Sequence, residues 1–497
     1  MDKTNWQQLA VDTTFTVRNF IGGRQEHCLG KTPIEKRSPR DGRLLYSFKE
    51  GDGSEVDRAV ESARAAFDDG RWRNLPQMQR KAVLIKLADL IEEHTQTFAL
   101  YESLDVGKPI QNALGDDVPS AASELRECVE GADKLLAPSG ADGAHFVYQV
   151  RKPVGVVAAI IGWNFPLCLA VSKVGPVLAT GSSLVLKPSE FTALSANLLA
   201  ALAVEAGVPA GVFNVVNGVG GIVGAALAKH MGVDLLSFVG SSATGKQLMK
   251  YAGDSNMKRL ILECGGKSPF LVFDDCSEDL DALAENIVET AFPNQGALCV
   301  AGTRLLIHAS LKNALVPKII ELTRAIKPQD PLESDTRFGA LINEAHLNKV
   351  LSYIDSGREE GAELIYGGNQ ILKETGGYYL EPAIFDRVKL EHKIAQEEIF
   401  GPVLSIFTFS DEDEAIQLAN STCFGLCAYV ATENLGRAQR LGQRLSAGSI
   451  IVFGTSTPSG DGVNIGAEGQ RESGFGFEGG QQGLLAYTVA STVHVLT

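Results

Sequence analysis

The chain reads Phe238-Val239-Gly240-Ser241-Ser242-Ala243-Thr244-Gly245 between an apolar stretch, residues 234–239, and a helical segment that runs to about residue 251. Glycines at positions 240 and 245 would let the backbone approach a pyrophosphate at the N-terminus of that helix. No GxGxxG fingerprint follows a strand here, and many α/β turns are rich in glycine, so this spacing alone is a weak signal. Its value lies in the series of strands and helices around it.

Short apolar runs precede and follow this turn. Strands are predicted over residues 156–161, 183–186, 212–216, 234–239 and 259–262. Runs that are apolar throughout are typical of parallel strands covered by helices on both faces. One intervening helix is predicted over residues 192–206, with Thr192 as its N-cap and Gly207 at its C-terminal stop. The pattern predicts a doubly wound α/β unit.

A second alternating series begins near Pro269, so the predicted fold class is α/β with two doubly wound parallel-sheet units. Its predicted strands cover residues 270–273, 304–307, 403–407 and 449–453. Its helices are predicted over residues 285–290, 313–325, 344–358 and 412–420, and earlier helices over 56–67 and 81–93. The longest irregular stretch, residues 454–480, is of the kind that often carries function.

Length and charge narrow the class of protein. A chain of 497 residues suggests roughly three structural units. A formal net charge of −15 argues against nucleic acid or an anionic membrane as the main partner. Residues 154–172 carry no charge, but Asn164, Pro166 and two glycines interrupt them. A buried strand that leads into a buried helix is therefore favoured over a membrane span.

The 8 cysteines are scattered and form no CxxC pair. The N-terminal residues also lack a charged-then-apolar signal pattern. Both observations indicate a reducing, cytoplasmic setting. The 8 histidines are dispersed as well, without HExxH or a Cys/His cluster, so no metal is expected.

Four unusual segments occur in order along the chain. They are Gly162-Trp163-Asn164-Phe165-Pro166, residues 238–245, Leu262-Glu263-Cys264-Gly265-Gly266-Lys267-Ser268-Pro269, and Asn294-Gln295-Gly296-Ala297-Leu298-Cys299. In this order, and at close to these spacings, the chain resembles the NAD(P)-dependent aldehyde dehydrogenase superfamily over nearly its whole length. Four matched segments in register are far more specific than any one of them.

The resemblance implies a cysteine mechanism. Cys299 would be the nucleophile, because a thiolate adds to an aldehyde carbonyl and gives a thiohemiacetal that can lose hydride. Asn164, with the backbone N–H of Cys299, would bind the oxyanion. Glu263 would activate the water that hydrolyses the acyl-enzyme. Lys173 matches a buried lysine thought to relay protons, and Glu478 matches a glutamate sometimes given a supporting base role.

The resemblance also implies NAD as the cofactor. A carboxylate near the 2′-hydroxyl of the adenosine ribose favours NAD over NADP. The residues implied for the cofactor site are Lys187, Ser189 and Glu190 at the ribose, Gly240, Ser241 and Gly245 at the pyrophosphate turn, and Trp163, Glu398 and Phe400 on the nicotinamide side.

Residues 485–495 alternate apolar and polar without a clear partner strand. In the family the matching segment joins a hairpin near residues 132–151 and pairs across a subunit boundary. A homodimer or homotetramer is therefore expected. The expected units are an NAD-binding domain of residues 1–131 and 152–263, a catalytic domain of residues 264–466, and a β oligomerisation element of residues 132–151 and 481–497.

The substrate is left open between two chemistries. Three other segments resemble a bacterial subgroup that includes γ-glutamyl-γ-aminobutyraldehyde and guanidinobutyraldehyde dehydrogenases. They are residues 105–110, 253–259 and 299–304. Those enzymes usually have tryptophan where this chain has Ser172, and proline where it has Gly162. Their Pro-Phe-Gly-Gly segment stands here as residues 464–467, and their arginine before Glu478 as Phe477.

These departures cluster where the family lines its aldehyde tunnel. Phe165, Phe292 and Ile465 would make that tunnel partly apolar, with Ser172 at the altered position. The substrate is therefore an aminoaldehyde or a neutral aliphatic or aromatic aldehyde. Two alternatives remain: a coenzyme A-acylating member, which would generally lack Glu263, and a non-catalytic protein that retains the fold.

Overall fold

Two large sheets, each covered by helices, and a small three-stranded sheet form the architecture. The structure is a computed structural model, and it describes residues 4–135, 137–142, 145–454 and 465–496. No helix in these ranges is both long and apolar enough to cross a membrane.

The helices are Trp6–Asp12 (α1), Gly53–Asp68 (α2), Gln77–Glu93 (α3), Thr95–Val106 (α4), Ile110–Asn112 (α5), Val118–Ala132 (α6), Pro166–Thr180 (α7), Leu194–Ala206 (α8), Ala225–Lys229 (α9), Ser242–Gly253 (α10), Leu280–Ala291 (α11), Lys312–Ala325 (α12), Glu344–Glu359 (α13), Lys393–Gln396 (α14), Glu412–Ala419 (α15), Leu435–Arg444 (α16) and Gly480–Ala486 (α17). Shorter helical turns of other pitch are Ala113–Asp117, Gly220–Gly224, Pro293–Gly296 and Lys373–Thr375.

The strands are Asn19–Ile21 (β1), Arg24–Glu26 (β2), Pro33–Arg37 (β3), Leu44–Lys49 (β4), Ser139–Asp142 (β5), His145–Pro153 (β6), Val156–Ile160 (β7), Ser183–Lys187 (β8), Phe213–Val215 (β9), Leu235–Val239 (β10), Arg259–Glu263 (β11), Pro269–Val272 (β12), Arg304–His308 (β13), Glu363–Gly367 (β14), Gln370–Ile371 (β15), Tyr379–Leu380 (β16), Ala383–Asp386 (β17), Val403–Phe409 (β18), Phe424–Gly425 (β19), Cys427–Ala431 (β20), Ser449–Phe453 (β21), Ala467–Glu468 (β22), Gln470–Arg471 (β23), Gly474–Phe475 (β24), Phe477–Glu478 (β25) and Thr488–Leu496 (β26).

The first sheet has the strand order β2-β1-β9-β8-β7-β10-β11-β24. Its five central strands run parallel, and all five were predicted from the sequence. Alternate residues of β7 belong to two different cores: Val157 and Ala159 pack under α3, α6, α7 and α8, whereas Val156 and Ala158 pack under α2 and α9. Helices on both faces confirm the doubly wound arrangement.

The second sheet has the order β14-β17-β18-β13-β12-β20-β21 and is parallel except for β14. Its two faces also belong to separate cores, since Leu271 packs with α13 and Phe270 packs with α11 and α12. The predicted fold class, α/β with two parallel sheets, is therefore confirmed.

Two local predictions need correction, and a third extends beyond the described residues. Helix α8 begins at Leu194 with Ala193 as its cap, so the N-cap role of Thr192 is wrong, although Gly207 does end the helix in the left-handed region. The residues from 485 to 487 are helical or turn, and the last strand begins at Thr488. Of the loop predicted at 454–480, residues 455–464, which include Asn464, lie outside the described residues.

The last strand does have a partner within the chain. β26 pairs antiparallel with β6 along its whole length, and β5 completes a three-stranded sheet. The two strands of the hairpin were expected within residues 132–151, but Ala132 still belongs to α6 and β6 extends to Pro153.

Candidate active site

The loop that carries Cys299 turns sharply just before it. Asn294, Gln295 and Gly296 follow one another in the left-handed region, with φ of 49°, 57° and 71°. A Cβ on Gly296 would lie 2.4 Å from the carbonyl carbon of Gly401, so the chain passes too close for any side chain there. Left-handed residues other than glycine cost free energy and often occur at functional sites.

The same loop lies against the end of strand β11. A Cβ on Gly266 would lie 2.4 Å from the carbonyl oxygen of Cys299. The glycine pair that follows Glu263 therefore lets the nucleophile loop reach the carboxyl end of the first sheet. Ligands of open α/β sheets bind at such strand ends.

Asn164 is fixed to this loop by hydrogen bonds in both directions. Its Nδ2 donates to the carbonyl of Ala297 at 3.0 Å, and Asn294 Nδ2 donates to the carbonyl of Asn164 at 2.9 Å. A side-chain amide has two N–H donors. One of them is therefore committed to the loop and the other is available to a substrate oxygen. Asn294 was not predicted as part of the site, although its neighbours in the motif were.

Cys299 is held as a thiol rather than a thiolate. Burial raises its pKa to about 12, and the carboxylates of Glu398 and Glu263 add to the rise. A thiol becomes an effective nucleophile only when it loses its proton. Cys299 must lose its proton before it can attack, and a thioester formed on it would need a general base to activate water.

Glu263 is suited to that role. It is the last residue of β11, where burial and the nearby Glu478 carboxylate raise its pKa to about 8. Its Oε1 is buried and accepts no hydrogen bond from the described part of the chain. A carboxylate with a pKa near neutrality and a free oxygen is what general base catalysis requires.

Lys173 and Glu478 form an ion pair beside Glu263. Lys173 is fully buried on α7, and although burial disfavours its charge, the Glu478 carboxylate holds the pKa of this lysine above its usual range. The positive charge of Lys173 opposes the rise in the pKa of Glu263, which nevertheless stays above its ordinary value. The structure thus brings Glu263, Lys173 and Glu478 together as one charged group.

The glycine turn after β10 leaves no room for side chains at its two glycines. A Cβ on Gly240 would lie 2.5 Å from the ring of Phe238, and one on Gly245 would lie 2.8 Å from Cys264 Sγ. Ser241 caps α10 by accepting a hydrogen bond from the Thr244 amide at 3.3 Å. The first amides of a helix have no partner inside the helix, so this terminus fits a pyrophosphate.

Strand β8 ends at Lys187, at the same edge of the first sheet. Ser189 and Glu190 follow it in the next turn. Lys187 Nζ is buried and donates to the carbonyl of Pro188 at 2.9 Å and to Glu190 Oε2 at 3.4 Å. Burial lowers the pKa of Lys187. Ser189 Oγ accepts from the amide of Phe191 at 3.3 Å. The lysine and the glutamate present a donor and an acceptor side by side, as a ribose diol needs.

The remaining residues predicted for the cofactor site are Glu398, Phe400 and Trp163. Glu398 lies close to Cys299. Glu398 Oε1 accepts a hydrogen bond from the Gly266 amide at 3.1 Å. The ring of Trp163 meets Phe400 edge-on, with centroids 5.2 Å apart. His346, which sequence reasoning missed, contacts Trp163 at 5.0 Å, and its Nε2 lies 2.8 Å from the Phe400 carbonyl. Burial lowers the pKa of His346 to about 4, so it supports this loop as a neutral ring.

The four predicted substrate residues fall in different places. Phe165 is partly exposed, and Lys108 Nζ lies 4.0 Å from the centre of its ring. Ser172 is also partly exposed, with its hydroxyl donated to the Leu169 carbonyl at 3.0 Å. Phe292 is only 2% exposed and packs in a core of the second sheet, and Ile465 is 74% exposed. Phe292 is thus almost buried and Ile465 largely exposed, and the wall role of both residues stays a prediction.

No group of three or more His, Cys, Asp or Glu side chains that could hold a metal occurs within the described ranges. The side chains gathered around Cys299 are the amide of Asn164 and the carboxylates of Glu263 and Glu398.

The chain was compared with known proteins. A family model described as "Aldehyde dehydrogenase family" matches residues 26–493. Aminoacetaldehyde dehydrogenase of Pseudomonas aeruginosa is 42% identical over 485 residues, which are 96% of this chain and 95% of that protein. Indole-3-acetaldehyde dehydrogenase AldA of P. syringae, solved in complex with NAD+ and IAA, has a TM-score of 0.96 and 46% identity, covering 99% of both chains.

A third relative is named for a different aldehyde. The crystal structure of γ-glutamyl-γ-aminobutyraldehyde dehydrogenase from Burkholderia cenocepacia J2315 has a TM-score of 0.95 and 43% identity, again with 99% of both chains covered. Together with the family match, these similarities show that this chain belongs to the aldehyde dehydrogenase family. The predictions of family, fold class and enzyme class are thereby confirmed.

Proposed function

We propose that the protein oxidises an aldehyde to a carboxylic acid with NAD, through a covalent intermediate on Cys299. The observation that carries this proposal is the convergence of Cys299, Asn164 and Glu263 at the carboxyl end of strand β11. The nucleophile, an oxyanion donor and a base with a pKa near 8 come from three separate segments of the chain. Each has a role in acyl transfer to water.

Cys299 gives up its thiol proton to solvent and attacks the aldehyde carbon as a thiolate, and the second N–H of Asn164 Nδ2 stabilises the oxygen as it becomes negative. The backbone N–H of Cys299 is the second donor in this proposal. A donor that is already fixed by the protein need not reorganise during the reaction, and this is the source of its catalytic benefit. The bond from Asn164 to Ala297 supplies that rigidity.

Glu263 then takes a proton from the water that attacks the thioester. Its free Oε1 is the accepting atom, and the Lys173–Glu478 pair next to it passes the proton onward. The acid leaves and the Cys299 thiol is restored.

NAD is supported as the cofactor by the relatives solved with NAD+ and by the fit of this chain's own residues. Gly240, Ser241 and Gly245 would hold its pyrophosphate, Lys187, Ser189 and Glu190 its adenosine ribose, and Trp163, Glu398 and Phe400 its nicotinamide half. NAD held by these residues would supply the acceptor for the hydride that the thiohemiacetal loses. The open, capped N-terminus of α10 is the observation that supports this fit.

The same proposal divides the chain into an NAD-binding domain (residues 1–131 and 152–263), a catalytic domain (264–466) and a β oligomerisation element (132–151 and 481–497). The two large sheets and the three-stranded sheet support it, although β24 joins the first sheet from outside those bounds. A homodimer or homotetramer is supported by the outer edge of β26, where Leu496 is 76% exposed. A cytoplasmic location is supported by eight free cysteines.

The substrate class stays open between an aminoaldehyde and a neutral aliphatic or aromatic aldehyde. The relatives include both chemistries, since one is named for aminoacetaldehyde and another for indole-3-acetaldehyde.

The test is a product analysis with purified protein, NAD and butanal, with and without coenzyme A. One NADH and one butanoate should form per aldehyde consumed, and coenzyme A should change neither. Formation of butanoyl-coenzyme A would assign the chain to the acylating class instead. A protein that produces no NADH from any aldehyde would contradict the proposal.

A further inference from the structure

Helix α7 is buried almost throughout, but one stripe along it is partly open. Phe165, which precedes it, and Cys168, Leu169 and Ser172 are partly exposed, whereas the rest of the first three turns is buried. Positions three, four and seven residues apart lie on one face of a helix. This stripe starts next to Asn164 and forms the partly open face of α7 closest to the reacting centre.

Helix α6 runs beside that stripe in the same direction. At its start, Cys168 Sγ lies 3.2 Å from the carbonyl of Asp117. Two turns further along α7, and three along α6, a Cβ on Gly175 would lie 3.0 Å from Cys128 Sγ. Glu124 is one turn before Cys128, and Ser172 is just under one turn before Gly175. The two contacts thus place Glu124 level with Ser172.

Glu124 has an unusual environment for a carboxylate. It is partly buried, and burial followed by the Glu478 carboxylate raises its pKa to about 8, while Lys173 acts in the opposite direction. No hydrogen bond or ion pair of Glu124 occurs among the residues that the structure describes. Lys173, the nearest cation on α7, is already paired with Glu478.

Charge in this region is therefore unbalanced. Three carboxylates, those of Glu124, Glu263 and Glu478, share one lysine. A positive group of the substrate would favour the ionised form of Glu124 and gain from its attraction. Ser172 leaves room for such a group, because its short side chain is bonded back to its own helix.

We propose that Glu124 binds the positively charged end of the substrate, so that the preferred aldehyde carries an ammonium group. This inference rests on the proposed function and selects one of the two substrate classes left open there. Glu124 touches the substrate but not the reacting carbon, and so it acts on binding rather than on chemistry.

The test compares two aldehydes of equal length, 3-aminopropanal and butanal, on wild-type protein and Glu124→Gln. The variant should lower kcat/KM for 3-aminopropanal about tenfold, mainly through KM, because a charge-assisted contact is lost. Its kcat/KM for butanal should stay within about twofold of the wild type. Glu127→Gln, an exposed position on the same helix, is the matched control and should change neither substrate.

The outcomes separate this inference from the proposed function. Equal losses on both aldehydes, or no loss on 3-aminopropanal, would overturn the role of Glu124 while leaving aldehyde oxidation in place. Wild-type protein that forms no NADH from either aldehyde would contradict the proposed function itself. Retained turnover of butanal by the variant shows that it is folded.

Discussion

The reacting centre and the α6–α7 wall beside it are built in different ways. Around Cys299 the backbone has almost no freedom: a left-handed turn passes within contact of Gly401, and the side-chain nitrogen and the backbone carbonyl of Asn164 are each hydrogen-bonded to the loop. Along the wall, side chains are partly open, and Glu124 is held by no bond among the described residues. The first region fixes atoms for chemistry, and the second leaves space and charge for a substrate.

The comparison predicts that a change in the reacting centre acts equally on all aldehydes. Cys299→Ala should lower kcat at least about ten-thousandfold for 3-aminopropanal and butanal alike, because no other group can form the thioester. NAD binding, measured by calorimetry, should persist. Cys423→Ala removes an exposed thiol and is the matched control, with wild-type rates expected. Turnover by Cys299→Ala near the wild-type rate would remove this residue from the mechanism.

Glu263→Gln should separate the two halves of the reaction. We expect a burst of about one NADH per active site, followed by steady turnover slowed about a thousandfold, because hydrolysis lacks its base. Rapid mixing would measure both phases. A normal steady state in this variant would place the base elsewhere.

The dependence of kcat on pH also tests the role of Glu263 as the base. The pKa of Glu263 is raised to about 8, so its basic form grows as pH rises through that value. Where hydrolysis limits turnover, wild-type kcat should therefore rise between about pH 7 and pH 9, and Glu263→Gln should show no such rise.

The two regions also differ in how far the sequence could predict them. Cys299, Asn164 and Glu263 stand in short segments whose order and spacing recur in the family, so their convergence could be expected. The wall could not, because Glu124 lies on an ordinary amphipathic helix and gains its meaning only from the parallel packing of α6 on α7. Phe292 is close to Cys299 in sequence and is almost completely buried in a core of the second sheet, so its predicted place in the tunnel wall stays a prediction.

The fold shows the same contrast between features that a local sequence pattern predicts and features that it does not. The parallel strands were predictable because continuous apolar runs have few other uses, whereas β17 and β20 were missed as strands. The cap of α8 was misassigned because Thr192, two residues before the helix, has the side chain of a good cap but not the position. The partner of β26 lies more than three hundred residues earlier, which no local pattern reveals.

A smaller effect than that of Glu263→Gln is expected from a change that probes the rigidity of the reacting centre. Gly296→Ala places a Cβ at φ 71° and within 2.4 Å of Gly401, so the turn must shift and move Cys299 with it. A misplacement of about 1 Å can cost roughly a hundredfold in rate, and we expect that loss on both aldehydes. Strain of about 1–3 kcal/mol should also lower the melting temperature.

Gly253→Ala is the control for that variant, since it ends α10 with open space around its Cα, and alanine there should leave rates unchanged and stability equal or slightly higher. If Gly296→Ala instead spared butanal and slowed only 3-aminopropanal, the turn would be acting on substrate choice. The division between a rigid centre and a selective wall would then be wrong at this point, because the backbone before Cys299 would belong to both.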